Sequence, residues 1–303
     1  MTKHFLTLFD FSEKEVKHIL DLALKVKSGE VEENLEGQTL AMLLEKPPTW
    51  AEVSFEVGIR QLGGHVTYLD MKNQLDRGVT IEDITKILSR YCNAIMTRVN
   101  KHADLEKMAS VSKIPIINAL SEKFHPCQTM ADMLTVLEKK GKLEDLKVVF
   151  MGDCGFNMFH STMIGFSKMW SNVVAVCPDK KEYMPDPEIV EKARKYGKGI
   201  IKIEHDPVKG IRDADVVITD KWVSPEQEKE EKRRVRDFKK YQVNSELVKH
   251  AKQDFIFMHC LPALRGYEVT NDIIDGQHSV VFDEAENRLH AQNAIMLYLL
   301  KGV

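Results

Sequence analysis

Five side chains stand where their types and spacing could do chemistry on a small polar ligand. Arg98 closes the apolar run AIMT, and a guanidinium just past a strand can clamp an anion, although a surface ion pair is the simpler alternative. His125 and Gln128 lie three residues apart in FHPCQ, where both can hydrogen-bond a carbonyl or an amide group. Asp220 closes the run VVIT and could bind an ammonium group, and Cys260 in HCLP could turn its sulfur towards a substrate. Each position alone also fits a structural role, so the functional interpretation depends on their combination.

A sixth feature is the segment EKPPTWAEVSF, which joins an apolar run that predicts a strand to a run that predicts a helix. Backbone N–H groups and the helix dipole favour an anion at such a junction. Trp50 and Glu52 occupy it, and neither side chain is suited to binding phosphate. The segment is therefore a candidate ligand loop that could instead hold a planar or cationic group.

Apolar runs alternate with amphipathic segments along the chain, which predicts strands that alternate with helices. In the first half the predicted strands are LAMLLE, HVTYLD, AIMTR and PIINAL, and two predicted helices begin after Ser12 and Thr80, the first ending at Gly29. The second half repeats the alternation from LKVVFMGD to FIFMHCLP, with EQEKEEKRRVRDFKKY as a solvated helix and a short strand, SVV, before a long C-terminal helix. The pattern predicts an α/β fold with two parallel-sheet domains joined by interdomain helices. Because ligands bind beyond the carboxyl ends of parallel strands, we expect the polar strand-end residues to converge on one cleft.

Composition excludes several classes of protein. The chain has 303 residues, of which 43% are hydrophobic and 29% charged, and its net charge of -3 gives no reason to expect a nucleic acid or an anionic membrane as partner. No apolar run approaches the roughly 20 residues of a membrane span, and the N-terminus lacks the apolar core of a signal peptide, so we expect a cytoplasmic protein.

The five cysteines are scattered without a CxxC pair, which favours reduced thiols over disulfides or a zinc site. Neither GxGxxG nor a P-loop pattern occurs, so neither NAD nor ATP is predicted.

The segments FHPCQTMADMLT, MHCLPALRGYEVT and FDEAENRLHAQNA, in this order, resemble those of the ornithine carbamoyltransferase family. The likeness covers essentially the whole chain. It implies a carbamoyl-phosphate domain at residues 1–135, to which a C-terminal helix at 286–303 returns, and an amino-acid domain at 147–285. It also implies a homotrimer whose active site is completed at a subunit interface, and transfer of a carbamoyl group from carbamoyl phosphate to the amine of ornithine or a related compound. No metal or organic cofactor is implied.

The resemblance further implies roles for individual residues. The positions that match carbamoyl-phosphate contacts are Arg98, His125, Gln128 and Arg288, and those that match contacts with the amino acid are Asn118, Asn157, Asp220, Cys260 and Leu261. Within the second set, Cys260 and Leu261 would border the reacting carbon, and Asp220 would bind the α-amino group.

The chain departs from the family pattern at three places. Where the family has Ser-Thr-Arg-Thr-Arg, this chain has PTWAE, which keeps only Thr49 and ends on Glu52 in place of arginine. The loop after Asp220 reads Ser-Pro-Glu from Ser224 in place of Ser-Met-Gly, and a Gly-Asn-Asn turn has become the CGFN that ends on Asn157. An acid in place of a base about 4 Å from a phosphate shifts their interaction by several kcal/mol at an effective dielectric near 20.

Three hypotheses remain open on the sequence alone. The first is a carbamoyltransferase that still uses carbamoyl phosphate, with phosphate contacts from a neighbouring subunit. The second is an enzyme of the same fold with a changed substrate, in which Trp50 stacks on the ligand and Glu52 pairs with a cation. The third is a non-catalytic paralogue that pairs with an active carbamoyltransferase or senses an amino acid.

Overall fold

A computed structural model describes residues 2–45, 50–223 and 227–303. The chain divides into two compact units. The first consists of Met1–Leu134 together with Glu286–Val303, and the second consists of Thr135–Ala285. The first unit is therefore discontinuous in sequence, whereas one continuous stretch forms the second.

The first unit is built on a parallel sheet that, within the described residues, has four strands in the order β2-β1-β3-β4. Its strands are β1 (Thr39–Leu44), β2 (His65–Asp70), β3 (Ala94–Arg98) and β4 (Ile116–Leu120). The three strands other than β2 are almost wholly buried, as expected where helices cover both faces of a parallel sheet, whereas the edge strand β2 is largely exposed. The pairing of β3 with β4 shifts register between Thr97 and Arg98, which is the kind of irregularity that re-aims a side chain.

The helices of the first unit are α1 (Glu13–Ser28), α2 (Trp50–Gln61), α3 (Met71–Asp76), α4 (Ile81–Tyr91), α5 (His102–Val111) and α6 (Pro126–Lys140), which continues into the second unit. Side-chain caps begin α1, α3 and α4. Ser12 caps α1 by accepting a hydrogen bond from the backbone of Glu15, and Gly29 ends the helix in the left-handed conformation. Thr80 caps α4 in the same way. The two N-caps and the glycine stop predicted from the sequence are thus confirmed.

The second unit repeats the architecture with a parallel sheet in the order β7-β6-β5-β8-β9, counted over its described residues. Its strands are β5 (Lys147–Met151), β6 (Asn172–Val176), β7 (Ile201–Glu204), β8 (Val216–Thr219) and β9 (Ile256–His259). Its helices are α7 (Asn157–Lys168), α8 (Pro187–Tyr196), α9 (Pro207–Ile211), α10 (Glu231–Phe238), α11 (Ser245–Val248), α12 (Asn271–Ile274) and α13 (Val281–Lys301), which continues into the first unit. The predicted α/β class with two parallel sheets is confirmed.

One local prediction is wrong. The expected strand SVV is a single isolated bridge from Ser279 to Phe257, because α13 already begins at Val281. The charged segment is helical and mostly exposed over its described residues, as expected of a solvated face, although Arg234 and Phe238 within it are buried. None of the helices in the described ranges is long and apolar enough to cross a membrane.

Candidate functional site

An ion pair in the first unit joins the start of α2 to the end of β3. Glu52 Oε1 lies 3.8 Å from Arg98 Nη1, and the two side chains are only 3% and 14% exposed. Glu52 is in the first turn of its helix, where the helix dipole favours a negative charge. Glu52, which replaces an arginine of the family pattern, therefore pairs with Arg98 of the same chain.

His125 lies in the field of two guanidinium groups. It is buried at the start of α6, and burial, followed by the positive charges of Arg288 and Arg98, holds its pKa well below the ordinary histidine value. Arg288, on α13, is itself only 6% exposed. The structure thus brings together Arg98, His125 and Arg288, and the imidazole among them is neutral at neutral pH. A neutral imidazole beside two guanidiniums suits a ligand that carries both an anionic group and a polar carbonyl.

Gln128 and Asn118 support this group from within the first unit. Gln128 is buried and donates from Nε2 to Asp132 Oδ1 at 2.9 Å, which fixes the orientation of its amide. Asn118 is fully buried on β4 and donates from Nδ2 to the carbonyl of Leu6 at 2.9 Å and that of Phe124 at 3.4 Å. Asn118 therefore holds the backbone directly before His125, whereas the resemblance assigns it to the amino acid.

Trp50 is 63% exposed at the first position of α2. Nearby, α2 and the strands β1 and β2 line a cavity of about 320 Å³. Its lining residues are Met42, Leu44, Glu52, Val53, Glu56, Arg60, Val66 and Tyr68. Glu52 therefore borders this cavity as well as pairing with Arg98. Thr49 and Ser224, two of the predicted ligand-binding residues, lie outside the described residues.

Asp220 and Cys260 meet at the carboxyl ends of β8 and β9 in the second unit. The Cys260 thiol donates a hydrogen bond to Asp220 Oδ1 at 3.3 Å. Burial raises the pKa of Asp220, while His259, the Lys221 backbone and Cys260 oppose that rise. A carboxylate in this setting gains from pairing with an ammonium group, because a cation offsets the cost of its burial.

His259 orients the turn that follows β9. Its Nδ1 accepts a hydrogen bond from the Leu261 backbone at 2.9 Å, and its Nε2 lies 3.2 Å from Glu268 Oε1. Leu261 has a φ of 52°, in the left-handed region that leucine rarely adopts, and this hydrogen bond helps to hold it there. The sequence places His259 among the polar residues at strand ends, but it does not indicate that His259 positions the turn.

The same cluster is the one group of potential metal ligands found in the described part of the chain. Ligand atoms of Asp220, His259 and Cys260 lie within 4.8 Å of one another. Both ring nitrogens of His259 already serve Leu261 and Glu268, so the imidazole is built to position the turn rather than to coordinate an ion. The donor set therefore favours recognition of a polar ligand over metal binding.

A buried arginine links the two loops that carry the other candidate residues of this unit. Arg234, 3% exposed, hydrogen-bonds the Asp153 carboxylate through Nη2 and the Trp222 carbonyl through Nε. Asp153 follows Gly152, whose φ of 134° suits only glycine, and precedes the buried Asn157 at the start of α7. Burial raises the pKa of Asp153, although Arg234 opposes the rise. Sequence reasoning missed Arg234 because it lies within a run of charged residues.

The two sheets therefore carry two groups of polar residues at the carboxyl ends of their strands. One group is cationic with a neutral histidine, and the other contains a carboxylate and a thiol. The first group suits an anionic ligand and the second suits a cationic one.

Comparison with known proteins gives the family. Residues 3–138 match the model of the aspartate/ornithine carbamoyltransferase carbamoyl-P binding domain, and residues 144–299 match that of the Asp/Orn binding domain. The chain belongs to the aspartate/ornithine carbamoyltransferase family.

Similar proteins span the full chain. An ornithine carbamoyltransferase of Thermococcus kodakarensis is 49% identical over 306 residues, which cover 98% of this chain and 96% of that protein. One from Pyrococcus abyssi is 48% identical over 309 residues, covering 99% and 96%. The solved ornithine carbamoyltransferase of Pyrococcus furiosus superposes with a TM-score of 0.93 at 46% identity, covering 99% of this chain and 98% of that one.

Proposed function

We propose that this protein transfers a carbamoyl group from carbamoyl phosphate to the side-chain amine of ornithine, giving citrulline and phosphate. The observation that carries the proposal is the neutral His125 flanked by the charges of Arg98 and Arg288 in the first unit. His125 and Arg98 also lie in the part of the chain that matches a carbamoyl-P binding domain. Similarity to proteins named ornithine carbamoyltransferase over almost the entire length supports ornithine as the acceptor.

The first unit binds the donor. Arg98 and Arg288 hold the phosphate, and Gln128, fixed by Asp132, contacts the carbamoyl amide. His125 donates a hydrogen bond to the carbonyl oxygen. Because its low pKa keeps it neutral, it polarises the carbonyl without surrendering a proton as pH changes across the neutral range.

The second unit binds the acceptor. Asp220 pairs with the α-amino group, and Asn157 contacts the head group of the amino acid. Cys260 and Leu261, on the turn fixed by His259, orient the side-chain amine. Asn118, Thr49 and Ser224 are assigned to substrate binding by the family pattern alone.

In the reaction the unprotonated amine attacks the carbonyl carbon and forms a C–N bond. The resulting tetrahedral oxyanion is stabilised by Arg98 and His125. The C–O bond to phosphate then breaks, phosphate leaves with the electron pair, and the former amine passes one proton to the departing phosphate. Metal and organic cofactors have no part in the proposed reaction.

A second candidate function has one observation in its favour. The pairing of Glu52 with Arg98 takes up part of the cationic charge that a phosphate would use. A paralogue that had abandoned carbamoyl phosphate, either for a different substrate or for a non-catalytic binding or partner role, would be expected to show such a contact.

We also propose that the enzyme is a cytoplasmic homotrimer. Four exposed apolar side chains on α2 and β2 offer a surface for another subunit, namely Trp50, Val53, Val57 and Tyr68. The five cysteines are free thiols, which fits a reducing compartment. Light scattering should give a mass three times that of the 34.7 kDa chain.

The decisive test is citrulline formation by the purified protein from carbamoyl phosphate and ornithine, measured by mass spectrometry. Lysine and diaminobutyrate, one methylene longer and shorter, should react much more slowly if ornithine is the acceptor. His125→Asn should remove most of the activity, while His65→Asn, a change at an exposed strand residue, should not. Binding of ornithine without turnover, or turnover with another amine only, would favour the second candidate.

A further inference from the structure

The cationic group of the first unit contains a carboxylate of its own. Glu52 Oε1 and Arg98 Nη1 are 3.8 Å apart, and at 3% and 14% exposure the pair is largely shielded from solvent. Charges so placed are screened much less by water and salt than a surface pair. Glu52 therefore offsets part of the positive potential that Arg98 presents to a ligand.

We propose that Glu52 competes with the phosphate of the ligand for Arg98 and so sets how tightly this enzyme holds phosphate, whether in the donor or as the released product. The inference rests on the proposed function, because Arg98 must be a phosphate contact. A phosphate that approaches Arg98 meets a carboxylate already paired with it. The anion must displace that carboxylate or share the guanidinium with it, and in both cases repulsion between the two anions weakens binding.

The consequence for the reaction is a donor site that favours release. Phosphate is the leaving group, and a site with fewer unopposed cations retains it less strongly. The Glu52–Arg98 contact therefore has two effects: it weakens binding of carbamoyl phosphate and it speeds release of phosphate. Glu52 thus sets the affinity for phosphate through its contact with Arg98, and it need not touch the reacting atoms.

The chain provides a matched control one turn along the same helix. Glu56 pairs with Arg60 at 3.1 Å, and these side chains are 49% and 62% exposed. Glu56→Gln and Glu52→Gln make the same substitution in the same helix and change the net charge by the same amount. Only Glu56→Gln leaves the Glu52–Arg98 pair in place. A general effect of net charge would therefore appear in both variants, and a local effect on Arg98 in Glu52→Gln alone.

The test is a calorimetric titration of the full-length protein and its variants with inorganic phosphate at low ionic strength. Glu52→Gln should lower the dissociation constant by about tenfold or more, and product inhibition by phosphate should strengthen in parallel. Glu56→Gln should stay within about twofold of the wild type. In an Arg98→Gln background the gain from Glu52→Gln should vanish, because the competition no longer exists.

Unchanged or weaker phosphate binding by Glu52→Gln would overturn the proposal, as would an equal gain in Glu56→Gln or persistence of the gain without Arg98. Thermal unfolding of each variant shows that it is folded. The wild-type citrulline assay separates this inference from the proposed function. Tighter phosphate binding by Glu52→Gln in a protein that makes no citrulline would sustain the role of Glu52 while refuting carbamoyl transfer.

Discussion

Replacing Arg234 by methionine removes the guanidinium that joins Asp153 to the Trp222 carbonyl. Methionine keeps apolar contact with Tyr183 and Phe238, whose ring centroids lie 5.1 and 5.4 Å from the guanidinium carbon. The substitution therefore isolates the loss of charge and hydrogen bonds. Asp153, only 9% exposed, is left as a buried carboxyl without its cation.

Removing one partner of a buried ion pair costs about 3–5 kcal/mol of unfolding free energy. For a unit of this size the cost corresponds to a fall of roughly 6–20 °C in the melting temperature. The measurement is thermal unfolding followed by circular dichroism. The control is Asp153→Asn/Arg234→Met, in which neither charge remains, and which should recover most of the loss.

The pH dependence gives the reasoning a second test. Burial already raises the pKa of Asp153 with Arg234 present, and removing Arg234 raises it further. A raised pKa in the folded state means that the protonated carboxyl is favoured there, so the variant should lose stability as pH rises and regain it on acidification. A single variant as stable as the wild type, or a double variant no better than the single, would refute this account of the cluster.

Three further predictions concern other parts of the chain. Because the pKa of His125 is held well below its ordinary value of 6.5, a pH–rate profile should show no limb near pH 6.5 that depends on His125, and such a limb, if His125→Asn abolishes it, would contradict this. Asp220→Asn should raise the KM for ornithine roughly 10- to 100-fold while leaving the KM for carbamoyl phosphate unchanged, and equal effects on both would argue against its role. Burial raises the pKa of Glu15, but hydrogen bonds from Lys3, Ser12 and Tyr298 outweigh it and lower the pKa from 4.5 to about 2. Glu15 thus contributes stability above pH 4.5 that is lost as pH falls towards 2, and in acid titrations followed by circular dichroism Glu15→Gln should flatten that fall.

The fold could be predicted from the sequence because its main signals are local. Ser12, Gly29 and Thr80 act on backbone groups within a few residues of themselves, so each is visible in a short window. The apolar runs of the buried strands are equally local, and their alternation with helices implies parallel sheets. The run SVV has the residue types of a strand, but only Ser279 pairs with a neighbouring segment. A single bridge does not extend into a strand, and the sequence does not show how many residues will pair.

The contacts within the candidate site depend on packing between distant segments. Glu52 and Arg98 are 46 positions apart in sequence, and no pattern in either segment indicates that they pair. Arg234 reads as one cation among many, and only the fold shows that it is buried against Asp153. By contrast, His125 and Gln128 lie in one short motif at a helix start, and the resemblance of that motif to the family indicates their roles.

The discontinuous first unit has a consequence for how the protein is made. One uninterrupted stretch forms the second unit, whereas the first lacks its segment Glu286–Val303 until the second unit has been synthesised. That segment carries Arg288, one of the two guanidiniums beside His125. A nascent chain therefore acquires its complete cationic group only after the whole second unit has been synthesised, and a chain that stops within the second unit never does.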